Sequence, residues 1–189
     1  MFYLSLGILI LIIGASLYFK GRSFVFKYLF IGTIILVFGF FCYQSYQQYQ
    51  IWSQNELSKH LLPPYISIGY FIFYTLMRFF GPYLISLAAA ILFLFSAKIL
   101  NKKYEERFFY SEEYYLGALA IFLAGHPGWL FYLIFLIVIY LLIHLYSSFI
   151  IRNSSQRVSL YHLWIATAIF VIILSKWLQD LSLWGLLKI

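Results

Sequence analysis

Two glutamates, Glu112 and Glu113, stand side by side at the head of a stretch, 111–151, that holds no other acid, in a chain with only six acidic residues among 189. An ionised carboxylate inside a bilayer is expensive, so an acid there is a candidate proton or ion handler by default. His126 follows in the corner Gly125-His126-Pro127-Gly128-Trp129, and histidine titrates nearest neutral pH. With Arg107 or Arg78, these groups could serve a membrane-embedded enzyme acting on lipid or peptide. A simpler reading competes with that one. Acids behind Ser111 suit the first turn of a helix, where N–H groups are unpaired and the dipole is positive, with Ser111 as N-cap. Glycine and proline alone satisfy the geometry of the corner, which leaves His126 to cap carbonyls or touch headgroups. A helix between Glu113 and His126 would hold them about 20 Å apart, too far for one acid–base pair.

A second chemistry is a pocket. The segments 66–82 and 112–128 are short, apolar and end in Gly/Pro, and interrupted segments are where transporters build binding sites. Arg78, Glu113, His126 and Trp129 would line a pocket for a small solute or lipid. Arg78 and Lys98 also have stems long enough to snorkel to an interface. A third is metal or haem: His144 and His162 flank the loop 152–158 on one side and are weak axial-ligand candidates. No further ligands accompany them, and neither a metal nor another cofactor is expected. The single cysteine, Cys42, excludes an internal disulfide and reads as a small apolar residue.

Enzyme signatures are otherwise missing. Asp180 is the only aspartate, which excludes two-aspartate intramembrane proteases. There is no HExxH, no GxSxG and no phosphate-cradling glycine loop. The pair Glu112-Glu113 with Phe122-x-x-x-His126 partly resembles the glutamate-dependent CAAX-type membrane proteases over a small fraction of the chain. That family has arginine five residues after its first glutamate. Gly117 stands at that position here, and Tyr110 at the matching position after the other acidic pair, Glu105-Glu106, so none of its site residues is transferred.

The elements that must position these groups follow from composition. Hydrophobic residues make up 64% and charged residues 10%, and mean hydropathy is +0.90. A soluble domain is about 45–50% apolar and about 25% charged. An all-α, polytopic transmembrane helical bundle in a single domain is expected, with the lipid bilayer as its first partner. A helical span needs about 20 apolar residues, and apolar runs mark spans near 2–19, 24–43, 83–100, 128–151 and 159–175, with a shorter one at 112–124. Nothing basic precedes Lys20, so 2–19 is expected to be retained. Segments 44–62 and 176–189 read as interfacial helices, the first with Tyr46, Tyr49 and Trp52 toward lipid and the second with Trp177, Leu181 and Trp184 on one face. Segment 66–80 reads as a short or re-entrant arm ended by Gly81-Pro82. Glycines seven apart, Gly7/Gly14 and Gly32/Gly39, predict a tight antiparallel hairpin of the first two spans.

The net charge of +7 is scattered at the ends of apolar runs, which fits headgroups and not nucleic acid. Seven crossings would divide the cations six against seven. If 66–100 crosses once, loops 20–27, 98–110 and 152–158 share nine cations against three, with Arg78 in neither sum. Positive-inside bias therefore favours six crossings with the N-terminus outside. No organelle presequence or cleavable secretory signal is read, so a bacterial-type inner membrane is expected, with an organellar inner membrane as the alternative. The expected role is a structural, assembly or accessory subunit of a membrane complex, with transporter and membrane enzyme as alternatives.

Overall fold

The computed structural model describes residues 1–19, 21–104, 109–150 and 161–187, apart from the side chains of 147–150 and 162. Every regular element among them is helical: α1 (Phe2–Tyr18), α2 (Ser23–Gln54), α3 (Ile68–Thr75), α4 (Gly81–Lys103), α5 (Glu113–Ala124), α6 (Gly128–Ile150), α7 (Tyr161–Leu178) and α8 (Ser182–Leu187). A short 3-10 turn, Ser58–Leu61, lies between α2 and α3. Three runs are long and apolar enough to cross a bilayer: Ser23–Gln54, Ile68–Lys103 and Gly128–Tyr146. Phe2–Tyr18, Glu113–Ala124 and Leu163–Leu178 are apolar but shorter.

The shortest of these sits at the centre. α5 has 12 residues, of which Glu113 and the whole run from Leu116 to Leu123 are buried. Its sequence, EYYLGALAIFLA, is apolar on every side past the first turn, and a helix apolar all round belongs in a core. α4, α7, α2 and α6 surround it. At Gly117 a Cβ would stand 2.6 Å from the Phe93 ring and 3.0 Å from Trp164. Only a hydrogen lets α4 and α7 close in at that level.

α1 buries Ser5, Leu9, Ile12 and Ser16, a helical stripe turned toward α7. α2 buries Phe26, Phe30, Thr33, Val37 and Phe41 and faces α5. The tight glycine hairpin predicted for these two helices does not form. Gly7, Gly32 and Gly39 are exposed, and a Cβ on any of the four glycines would meet nothing within 4 Å. The large rings of α2 bury far more apolar area than a glycine face can, and they take the inward positions.

Two expected boundaries also fall elsewhere. α2 does not stop near Tyr43; it runs unbroken to Gln54. Tyr46 is exposed, but Trp52 turns inward and packs edge-on against Phe71 at 5.5 Å, beside Leu62 and Tyr74. The end of α2 and α3 thus share a small aromatic core of their own. Nor does Gly81-Pro82 break the chain. Residues Leu76–Phe80 form a π-turn in which the Gly81 N–H donates to the Leu76 carbonyl, and α4 continues from it. A proline ring clashes with the carbonyl four residues back, and one widened turn relieves that clash without ending the helix. The segment 66–80 is therefore the first part of the 36-residue run Ile68–Lys103. At the C-terminus, a turn after Leu178 separates Trp177, exposed, from Trp184, which is buried and stacked on Phe131 at 5.4 Å. The expected common face of Trp177, Leu181 and Trp184 is not present.

Candidate functional site at the two ends of the central helix

At 1.5 Å per residue α5 is about 18 Å long, well short of the roughly 30 Å of a bilayer core. The chain entering it is irregular backbone. Such backbone is tolerated at membrane depth only where protein groups satisfy it. Asn101, in the last turn of α4 and 1% exposed, does this for Phe109. Its Nδ2 donates to the Phe109 carbonyl at 2.9 Å, and its Oδ1 accepts the Phe109 N–H at 3.0 Å. The Tyr114 hydroxyl accepts from the same amide nitrogen.

The two glutamates continue the pattern. Glu112 is 5% exposed and Glu113 1%. Glu112 Oε1 accepts the N–H of Gly21, in the α1–α2 turn, at 2.9 Å. Gly21 has φ +88°, a left-handed conformation that glycine adopts at little cost. Glu113 Oε2 accepts the Tyr110 N–H at 3.3 Å. Ser111, expected as the N-cap, is exposed; Glu112 holds the cap position, and no side-chain cap bond is made. Tyr161, at the start of α7, donates its hydroxyl to the Ser16 carbonyl at 3.1 Å. Lys98 Nζ donates to the Tyr115 hydroxyl at 3.1 Å. One polar cluster therefore joins the α1–α2 turn, the end of α4 and the starts of α5 and α7.

The other end of α5 is tied differently. Gly125, at φ +66°, lets the chain turn against the Tyr83 ring. The His126 N–H donates to the Pro82 carbonyl at 3.2 Å, so the two Gly/Pro corners do meet, through backbone. Ser86 Oγ donates to the Phe122 carbonyl at 3.2 Å. The His126 ring sits between two partners. Trp129 Nε1–H donates to Nδ1 at 3.2 Å, and Nε2 lies 2.7 Å from the Leu187 carbonyl in α8. Because Nδ1 accepts, Nε2 carries the proton and donates; the neutral ring is fully used.

The four pocket candidates do not line one cavity. Glu113 and His126 lie at opposite ends of α5, and Trp129 accompanies His126. Arg78 is exposed, over the Tyr74 ring at 6.0 Å, and lines an outer cavity of about 340 Å³ with Tyr70, Phe73 and Met77. His144 stacks on Tyr140 on an exposed surface. Arg107, the side chain of His162 and the loop 152–158 lie outside the described residues. Among the described residues no three of His, Cys, Asp and Glu come together as a metal site. Sequence reasoning missed Asn101, which opens a charged stretch read as loop, and Tyr161, one tyrosine among eighteen. An uncharged polar residue directly after an apolar run and ahead of the lysines was the available signal for Asn101.

No family model, curated protein or solved structure matches the chain. Among the described residues the chain is all-helical, with three helices long and apolar enough to span a membrane, which fits a membrane location.

Proposed function

We propose that the protein crosses the membrane six times and serves as a structural, assembly or accessory subunit of a membrane complex. The observation that supports this is the use made of its buried acids and of its central histidine. Glu112, Glu113 and His126 bind backbone groups of turns and helix ends, so their described bonds are those of struts. Arg78 and Lys98 are twenty residues apart, about 30 Å along the helical run, which matches one bilayer core between two snorkelling cations. The segment from Gln44 to Met77 then projects beyond the hydrocarbon. It carries an aromatic core inside and exposed Ile72, Phe73, Leu76 and Met77 outside, and apolar surface of that kind suits a partner subunit. The central helix crosses only because its neighbours shield both of its ends.

The test is a pair of substitutions at each acid. Glutamine keeps an oxygen that accepts an N–H; alanine does not. Glu112→Gln and Glu113→Gln are expected to accumulate and function as wild type, and Glu112→Ala to lose folded protein. A membrane partner at fixed stoichiometry in the detergent extract is expected with wild type and both glutamine variants. Folded glutamine variants without function would sink the strut reading and favour proton or ion chemistry.

A further inference from the structure

α1 and α2 are joined by a short turn yet turn their buried stripes away from each other, α1 to α7 and α2 to α5. Between them lies a cleft of about 660 Å³, lined by Ile8, Leu11, Phe24, Tyr28, Gly32 and Leu36 among others. Of its lining side chains only those of Tyr28 and Thr33 carry a polar atom. From Phe24 to Leu36 the cleft runs about 18 Å along α2. We propose that it holds one anionic phospholipid, its acyl chains in the cleft and its phosphate at Arg22.

Size selects the occupant. A helix about 10–12 Å across would need roughly 1,400 Å³ or more over that length, twice the space present. An extended hydrocarbon chain, about 4–5 Å across at carbon contact distances, needs only about 300 Å³, so the two chains of one lipid fit. Charge selects the headgroup. Arg22 immediately precedes α2, two residues before the cleft-lining Phe24, and the exposed Lys27 follows on the next turn. Arg22 is exposed with its guanidinium 5.9 Å from the Phe19 ring centre. α2 has no acid in its first turn and no side-chain cap at its start. The acid bonded to this turn, Glu112, is buried and occupied by the Gly21 N–H. The outward face of the turn is thus cationic, as an anionic headgroup requires. The proposal rests on the bilayer location alone and stands apart from the subunit role.

Native mass spectrometry of the full chain in mild detergent, with dioleoyl phosphatidylglycerol or dioleoyl phosphatidylcholine added, tests it. Wild type is expected to keep one phosphatidylglycerol, with a preference of about fivefold over phosphatidylcholine, the share of roughly one cation at an anionic surface. Arg22→Ala removes the preference. Gly32 lines the cleft and a Cβ there would meet nothing within 4 Å, so Gly32→Trp places its ring in the cleft and should abolish the adduct. Gly39 is equally open but off the cleft, and Gly39→Trp should leave the adduct unchanged. No adduct on wild type, equal binding of the two lipids, or an adduct that persists in folded Gly32→Trp would each overturn the proposal. A dimer that Gly32→Trp dissociates would assign the cleft to a second copy instead.

Discussion

Removing the Asn101 side chain should damage the fold more than any surface change, and the cost can be worked from its bonds. Asn101→Ala orphans both the N–H and the carbonyl of Phe109 and removes a partner of the Tyr114 hydroxyl. An orphaned buried polar group costs about 1–3 kcal/mol. Phe109 is only half-buried, so some water repays the loss, and a net cost of about 2–4 kcal/mol follows for its two groups. For a chain of this size that corresponds to a drop of about 4–16 °C in apparent Tm. Asn101→Asp keeps the acceptor for the Phe109 N–H, loses the donor and buries a charge, so it should do no better than alanine. The assay is far-UV circular dichroism in detergent at one fixed scan rate, since unfolding of such proteins is often irreversible. An Asn101→Ala protein melting within a degree or so of wild type, or an aspartate variant as stable as asparagine, would refute the reasoning.

Other perturbations separate the roles of individual residues. Gly117→Ala forces a Cβ into the Phe93 ring and should cost about 1–3 kcal/mol, whereas Gly7→Ala, in open space, should gain up to about 1 kcal/mol of helix propensity; the same melting assay reads both. His126→Ala should release α8 from the α5–α6 corner, seen as faster proteolysis near Gly185 with the helical content of the bundle unchanged. With Cys42→Ser as background, single cysteines at Arg22 and Tyr104 should react with an impermeant maleimide from one side of sealed vesicles and a cysteine at Asn55 from the other; labelling of all three from one side would end the six-crossing proposal.

Apolar length alone located most helical runs, because a run of that hydropathy has few other structures open to it in lipid. What length could not locate were the joints. The stretch from Gln44 to Gln54 is polar enough to read as a separate element, but nothing in it disfavours helix. Its inward face appears only once Phe71, far along the chain, packs on Trp52. Gly81-Pro82 is a break signal whose outcome depends on whether the turn before it can widen. Glycine stripes advertise close packing, but Phe26, Phe30 and Phe41 on the same helix outbid them with area. Glu112 and Glu113 were legible as helix-start residues. The partner that gives Glu112 its task, the Gly21 N–H, lies 91 residues away and leaves no local trace.

The shielded central helix has a consequence for how the protein is made. Twelve residues headed by a glutamate are too few and too polar at one end to leave a translocation channel for lipid unaided. If α5 crosses as proposed, it has to be retained at the channel until α6 and α7 emerge, with α1, α2 and α4 waiting beside it. On the proposed topology, biogenesis of this chain would be a late, collective release, and a ribosome halted soon after Gly128 would leave the nascent protein unable to settle in the membrane.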